Sequence, residues 1–497
     1  MTEALRFPPI RFDRAIHAVE PDMFEGDVEE LVKTGRVDEK RNSSAPSSAS
    51  PQARNGFDSA AYWSKRYRTG GNSGAGSYGR LAAFKAEVIN AFVAEHGIGS
   101  VIEFGCGDGA QLKLARYPSY LGFDVADESV AMCRAAFGAD ATKAFRNARD
   151  YNHERADLTL SLDVIYHLIE DEVFHEYMRR LFFSADRYVI VYSSNRDANW
   201  PAAHVRHRKF TDWVEKYHTD FRLLKHIPNR YPLVGDEQNE SFADFYIFEK
   251  LRACRHTLPG ELVVSLTSWV KRFPTLELTL RRILHQSMLP DRTILWIAPR
   301  DIEHLPRGVL DLQRCGLSIR ITEDIRSYKK IIPALKACPE AFILTLDDDQ
   351  IYPRDVIEPL VTNYRSPKEI LCRRANQMRF NEKGELLPYM QWRFDYPDDD
   401  IRSDLFPTGC NGVLYPPGSL APDVLDQEKF MSLAPHADDV WLFWMGRRAG
   451  STTRRVGRPW HNTVWPGTES SSLMQYNWNG GNDRQIAAMM EHYGSPF

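Results

Sequence analysis

Twice along this chain, short apolar runs alternate with amphipathic stretches, and that alternation limits the folds open to it. From about 56 to 250 the strand-like runs are "SVIEFG", "SYLGFDV", "DLTLSLDV" and "RYVIVYSS", with helical spacing between them and an amphipathic "LAAFKAEVINAFVAEHG" ahead. Such alternation predicts a mostly parallel sheet covered on both faces. "FRLLKHI" and "SFADFYIFEK" predict two further strands that close this half as a hairpin. A second alternation starts after "RHTLPGE": "LVVSLTS", "TLELTLRRILHQS", "RTILWIA", "LSIRITE", "YKKIIPALKAC", "AFILTLDDD". It predicts a second α/β domain. No sequence repeat relates the halves, so they are expected to be different machines.

Size agrees with two cores, because 497 residues at 43% hydrophobic and 12% aromatic content exceed one ordinary domain. Residues 42–55, "NSSAPSSASPQARN", carry no large apolar side chain and read as a linker. Before them "MFEGDVEELVKTG" has the spacing of a short docking helix, with a loosely held tail as the alternative. The expected division is therefore a tail and linker over 1–55, a first domain over 56–250, a linker over 251–261 and a second domain over 262–497. A formal net charge of -4, with acids and bases spread along the length, gives no basic field for nucleic acid. Seven scattered cysteines, an odd number without CxxC spacing, suggest a reducing, cytoplasmic setting. The N-terminus lacks the apolar core of a signal peptide, and no run approaches the roughly 20 apolar residues of a membrane span. Any work on a membrane-linked acceptor is expected to be peripheral.

"VIEFGCGDGAQLKLA" (101–115) places a strand, an acid and glycines 105, 107 and 109 directly before a helical stretch. Glycines admit close backbone approach, and a helix start offers free N–H groups. Glu103 precedes the first glycine, and "GFDVAD" ends the next strand with Asp124 where a ribose diol would be held. Here the chain resembles the class I S-adenosylmethionine-dependent methyltransferases, whose loop reads ExGxGxG. The resemblance covers roughly 56–250 and implies a Rossmann-like domain. By it Gly105, Gly107 and Gly109 would line the cofactor, Glu103 would support its amino-acid end, and Asp124 would bind the ribose hydroxyls. Asp150, in "NARDY", is a candidate adenine contact. Asp163 ends the fourth strand, and His167 lies just beyond it as the candidate base for O-methylation. "YWSKRYRTGGNSGAGSYGR" (62–80) suggests a lid, and the basic "HVRHRKF" (204–210) a clamp for an anionic acceptor.

"AFILTLDDDQIYP" delivers three carboxylates to the C-terminal end of an apolar strand, where α/β sheets bind ligands. Carboxylates that close repel unless a cation or a solvated turn relieves them. A hard divalent ion, Mn2+ or Mg2+, suits such oxygen ligands and bridges to a diphosphate. At this point the chain resembles glycosyltransferases of the GT-A fold, near the large family 2 of inverting enzymes, over roughly 260–495. The resemblance makes Asp347 and Asp349 the DxD metal motif, with Asp347 also meeting the nucleotide sugar. Thr267, Arg272 and Asp324 would meet the nucleotide, and Lys330 the diphosphate. "FPTGCNGVLYPPG" would wall the sugar site. In "PHADDVWLFWMGRRAG" the acidic pair offers Asp439 as the catalytic base, with Asp438 as fallback or as a helix cap. His461 would join the metal shell; Trp478, in "QYNWNGGNDRQI", would stack on a sugar or pack in the core.

The combined expectation is a bifunctional enzyme of surface polysaccharide synthesis. One half would transfer a sugar from a nucleotide donor with inversion, and the other would methylate a hydroxyl of the glycan acceptor with S-adenosylmethionine. Two alternatives remain open: a glycan-assembly scaffold with one active half, and a small-molecule methyltransferase with a non-catalytic C-terminal domain.

Overall fold

The computed structural model describes residues 57–198, 200–460, 463–468 and 473–497, which lie in one compact unit. The expected docking helix at 23–35 and the linker at 42–55 fall outside the described residues. Two sheets organise the rest. The first has strands β1 (Val101–Phe104), β2 (Tyr120–Asp124), β3 (Lys143–Asn147), β4 (Ala156–Leu162), β5 (Ala185–Ser193), β6 (Phe221–Ile227) and β7 (Asp244–Lys250), in the order β3-β2-β1-β4-β5-β7-β6. The first five are parallel; β7 runs antiparallel to β5 and β6, which is the expected hairpin.

Helices α1 (Ser59–Arg68), α2 (Gly79–Glu95), α3 (Asp127–Phe137), α4 (Asp171–Phe183) and α5 (Phe210–Tyr217) accompany this sheet. Asp58 caps α1 by accepting the Ala61 N–H at 2.8 Å. In α2 the buried Leu81, Phe84, Lys85, Ile89, Phe92 and Val93 recur at helical spacing. Strand period does the rest. Along β5, Tyr188, Ile190 and Tyr192 enter one core, and Val189 and Val191 enter the other. Each such aliphatic side chain fully buried contributes about 1.5–3 kcal/mol.

The second sheet is mixed and has eight strands: β8 (Leu262–Thr267), β9 (Arg292–Ile297), β10 (Leu317–Ile321), β11 (Phe342–Thr345), β12 (Glu369–Cys372), β13 (Ile401–Arg402), β14 (Val413–Tyr415) and β15 (Thr452–Arg455). Their order is β10-β9-β8-β11-β14-β12-β15-β13. Leu262, Val264 and Leu266 of β8 face one core while Val263 faces the other. Helix α6 (Phe273–Leu284) follows β8, α7 (Asp438–Arg448) precedes β15, and α8 (Asn482–Tyr493) lies near the C-terminus.

In both sheets the chain proceeds to one side of a central strand and then returns to its other side. The reversal lies between β1 and β4 in the first sheet and between β8 and β11 in the second. Crevices at such reversals, beyond the carboxyl ends of the strands, are where open α/β sheets take ligands.

The expected linker at 251–261 is partly structured. Cys254–Arg255 pairs in parallel with Met288–Leu289, and Arg354 donates to the carbonyl of Arg252 at 2.6 Å. Further contacts join the halves: Arg179 reaches Glu277 at 3.2 Å, and Asp220 lies 3.6 Å from His218 and 3.3 Å from His285. Burial keeps His218 down at about 4, while His285, His218 and Lys250 together outweigh the burial of Asp220 and hold its carboxyl below the usual range. All seven cysteines are free thiols. No described helix is long and apolar enough to cross a membrane.

Candidate functional site

The first crevice is built by the loop after β1. Gly105, Gly107 and Gly109 take φ values of 86°, 58° and 76°, which side chains rarely adopt. At the end of β2 the buried Asp124 accepts the Gly107 N–H at 2.9 Å and the Ala126 N–H at 3.0 Å, so this acid ties β2 to the glycine loop. Burial raises its pKa, against these hydrogen bonds. Glu103 accepts the Tyr120 hydroxyl at 2.6 Å, and burial pushes it up to about 7.

The 62–80 stretch does lie over this loop. Ser73 accepts the Asp108 N–H at 2.8 Å and donates its own N–H to the Asp108 carboxylate at 2.9 Å; Tyr78 adds a hydroxyl to the same carboxylate at 2.6 Å. A Cβ on Gly107 would meet Ser73 Oγ at 2.3 Å. The glycine loop lies beside Asp124, the juxtaposition the expected S-adenosylmethionine site requires, with the Gly105, Gly107 and Gly109 N–H groups held by the Phe123 carbonyl, Asp124 and the Cys106 carbonyl.

Two other expectations need correction. Asp163 follows β4 at φ 60° and is held by Lys85 Nζ at 2.6 Å and the Tyr166 hydroxyl at 2.8 Å, so it forms an internal ion pair where a cofactor contact was expected. Arg206 and Arg208 of "HVRHRKF" fold back onto Asp171 and onto the Leu168 and Ile169 carbonyls, which spends their charge internally and removes the anion clamp. Asp150 sits exposed on the short turn after β3. The same basic segment contributes aromatic packing: His204 stacks on Tyr62 at 4.9 Å and on His167 at 5.5 Å, and Trp63 meets the His167 edge. His167 Nδ1 lies 2.8 Å from the His204 carbonyl, which can only accept. The proton therefore sits on Nδ1, leaving Nε2 as the acceptor. Burial lowers the His167 pKa to about 4.

The second crevice is a cavity of about 880 Å³ at the β8/β11 reversal. It is lined by Thr267, Arg272, Asp324, Lys330, Asp347, Asp349, Asp438 and Asp439, residues spread over more than 170 positions of sequence and all expected at one site. Trp478, 41% exposed, lines it too and is not core. Lys330 Nζ lies 2.9 Å from Asp347 and 3.0 Å from Asp438. Burial opposes its charge, yet Asp347, Asp438 and Asp439 hold it well above the ordinary lysine value. Asp439 accepts the Gly409 N–H on both oxygens, and burial followed by Asp438 pushes it up to about 7. Asp438 is the first residue of α7 and forms no cap hydrogen bond, so the helix-cap reading of it gives way to the Lys330 pair.

The remaining assignments shift in detail. Thr267 donates its hydroxyl to the Trp296 carbonyl at 2.8 Å. Asp324 is held by Lys329 at 2.7 Å and by Arg300. Arg272, expected on the nucleotide, is buried against Asp349, whose other oxygen accepts Gln350 Nε2 at 2.9 Å. Burial raises Asp349, and it takes Asp348 to about 7. With Asp349 satisfied on both oxygens and Asp347 on Lys330, the expected DxD pair does not fit a divalent ion as arranged. Among the described residues no group of three or more His, Cys, Asp or Glu is placed to hold a metal. His461 lies outside the described residues. Gly409, Gln350 and Arg326 escaped the sequence reading; the first stood inside "FPTGCNGVLYPPG", but nothing there marked its partner.

No family model matches the chain, and no curated protein matches it in sequence. Solved structures resemble about a third of it. Magnesium protoporphyrin IX methyltransferase from Synechocystis PCC 6803, with bound SAH, is 16% identical over 34% of this chain and 84% of that one, at a TM-score of 0.28. N-methyltransferase NodS from Bradyrhizobium japonicum WM9 is 13% identical over 35% and 98%, at 0.29. An S-adenosylmethionine-dependent methyltransferase from Clostridium acetobutylicum ATCC 824 is 13% identical over 33% and 90%, at 0.26.

Proposed function

We propose that the chain is a two-centre transferase: its C-terminal half moves a sugar from a nucleotide donor to a glycan hydroxyl, and its N-terminal half methylates a hydroxyl of the same class of acceptor. The observation that carries this reading is the second cavity, where one lysine and the acidic pair of α7 converge with the acids that follow β11. In the transfer step Asp439 takes the acceptor hydroxyl's proton. A carboxyl with a pKa near 7 is matched to that task at neutral pH. Gly409 fixes its orientation, Trp478 offers an aromatic face to a sugar, and the cations of the cavity offset the charge of the departing nucleotide.

For the N-terminal half, Gly105, Gly107, Gly109, Glu103 and Asp124 would hold S-adenosylmethionine, which supplies an activated methyl group. Ser73 and Tyr78 close the 69–78 segment over the glycine loop and exclude water. His167 would accept the acceptor's proton at Nε2. The setting expected is cytoplasmic synthesis of a surface polysaccharide, on an acceptor that is soluble or presented at a membrane face.

The test is release of nucleotide from UDP-, GDP- and dTDP-sugars in the presence of mixed glycan acceptors, by wild type and Asp439→Asn. The reading requires one donor to be turned over by wild type and not by the variant, with SAH binding equal in both. Equal turnover by both proteins would remove Asp439 from the chemistry.

A further inference from the structure

We infer that the C-terminal cavity binds the donor's diphosphate with protein cations alone, Lys330 foremost, where the expected DxD pair would use a divalent metal. The inference rests on the reading of this half as a nucleotide-sugar transferase.

Its first support is the state of the two acids. Asp349 is 8% exposed, and its oxygens are taken by the Arg272 guanidinium and by Gln350 Nε2, both of them buried groups. A small divalent ion demands near-octahedral oxygen ligands. To use Asp349 it would have to displace Arg272, leaving a 6% exposed guanidinium without its carboxylate. Asp347 in turn gives one oxygen to Lys330.

The second support is the charge of the cavity as a whole. Eight Lys and Arg side chains line it against seven Asp, an excess of one positive charge. Three of the cations also lack a carboxylate partner among the described residues. Arg326 meets the Pro435 carbonyl and the His436 ring, while Arg373 and Arg455, 3% and 5% exposed, donate to backbone carbonyls. A divalent cation would add to that excess, whereas the negative charge of a diphosphate opposes it.

The third is geometry at Lys330. An ammonium has three donors. Asp347 accepts one, and Asp438 lies 3.0 Å away as an ion-pair partner without a hydrogen bond, which leaves donors for a phosphate oxygen. Gly409 keeps the approach open, since a Cβ there would lie 3.0 Å from Lys330 Nζ.

Calorimetric titration of UDP, GDP and dTDP into the intact, metal-stripped protein tests this, once in EDTA and once with saturating Mn2+. The inference predicts that at least one of them binds with affinities in the two buffers within about tenfold of each other. It also predicts that Lys330→Met weakens that binding at least about tenfold, as loss of a hydrogen bond between charged groups should, with SAH binding retained as the check on folding. Binding strengthened more than about tenfold by Mn2+ overturns the metal-free site and leaves the glycosyltransferase reading standing. If none of the three binds in either buffer, both fall.

Discussion

The backbone N–H of Gly409 donates to both carboxylate oxygens of Asp439, each at 3.1 Å. A base held from behind in this way keeps one orientation toward the cavity, and the missing side chain of the glycine is part of the arrangement. An added Cβ would lie 2.9 Å from Asp439 Oδ1 and 3.0 Å from Lys330 Nζ. Gly409→Ala is therefore predicted to lower kcat/KM for sugar transfer about 10- to 100-fold, or ~1.4–2.7 kcal/mol of transition-state stabilisation. SAH binding and Tm should remain near wild type. Steady-state kinetics on both proteins decide it, and an unchanged kcat/KM would show that Asp439 needs no such support.

The raised pKa of Asp439 sets a pH profile. A base works deprotonated, so a carboxyl that holds its proton up to about 7 makes kcat/KM for sugar transfer rise with pH through that value and level off above it. Asp439→Asn should abolish that limb and cost about 100- to 10,000-fold. A rate already flat from pH 5 to 8 in wild type would contradict the assignment.

At the other centre, Gly107 takes φ 58° and has Ser73 Oγ where a Cβ would go, at 2.3 Å. Gly107→Ala should thus push the 69–78 segment off the loop and weaken SAH binding at least about tenfold, measured by calorimetry. Nucleoside diphosphate binding should be untouched. Full SAH affinity in the variant would place the cofactor elsewhere.

Lys85 is 1% exposed and donates to Asp163 at 2.6 Å. Lys85→Met leaves a half-buried carboxylate without its cation, held only by the Tyr166 hydroxyl, and is predicted to cost about 3–5 kcal/mol of stability, read from urea unfolding. Adding Asp163→Asn should recover part of that loss. A double variant no more stable than the single one would mean that packing of the lysine stem, rather than the pair, carries the effect.

The two crevices were legible in the sequence because each follows a local pattern: a strand, then glycines or carboxylates, then a helix. Asp124, Gly107 and Asp347 stand in such patterns, whereas Asp439 was marked by the acidic pair that the glycosyltransferase resemblance implies. What the local pattern hides is pairing across distance. Arg272 and Asp349 are 77 positions apart, and either alone looks like a ligand contact; only the fold shows that each satisfies the other. Asp163 and Lys85 repeat the lesson at a separation of 78. "HVRHRKF" read as an anion clamp because its charges were visible, whereas its carbonyl and Asp171 partners belong to other elements. The Asp220, His218 and His285 cluster between the halves likewise joins segments that carry no shared motif.

If one chain carries two independent donor sites, thermal unfolding of the intact protein with each ligand will show both. SAH and each of UDP, GDP and dTDP would be added separately, then SAH together with the best nucleotide. A ligand at about 100 times its Kd stabilises the state it binds by ~2.7 kcal/mol. SAH and one nucleotide should each raise Tm, and Gly107→Ala should remove the first shift while leaving the second. A protein whose Tm responds to SAH and to none of the nucleotides would contradict it.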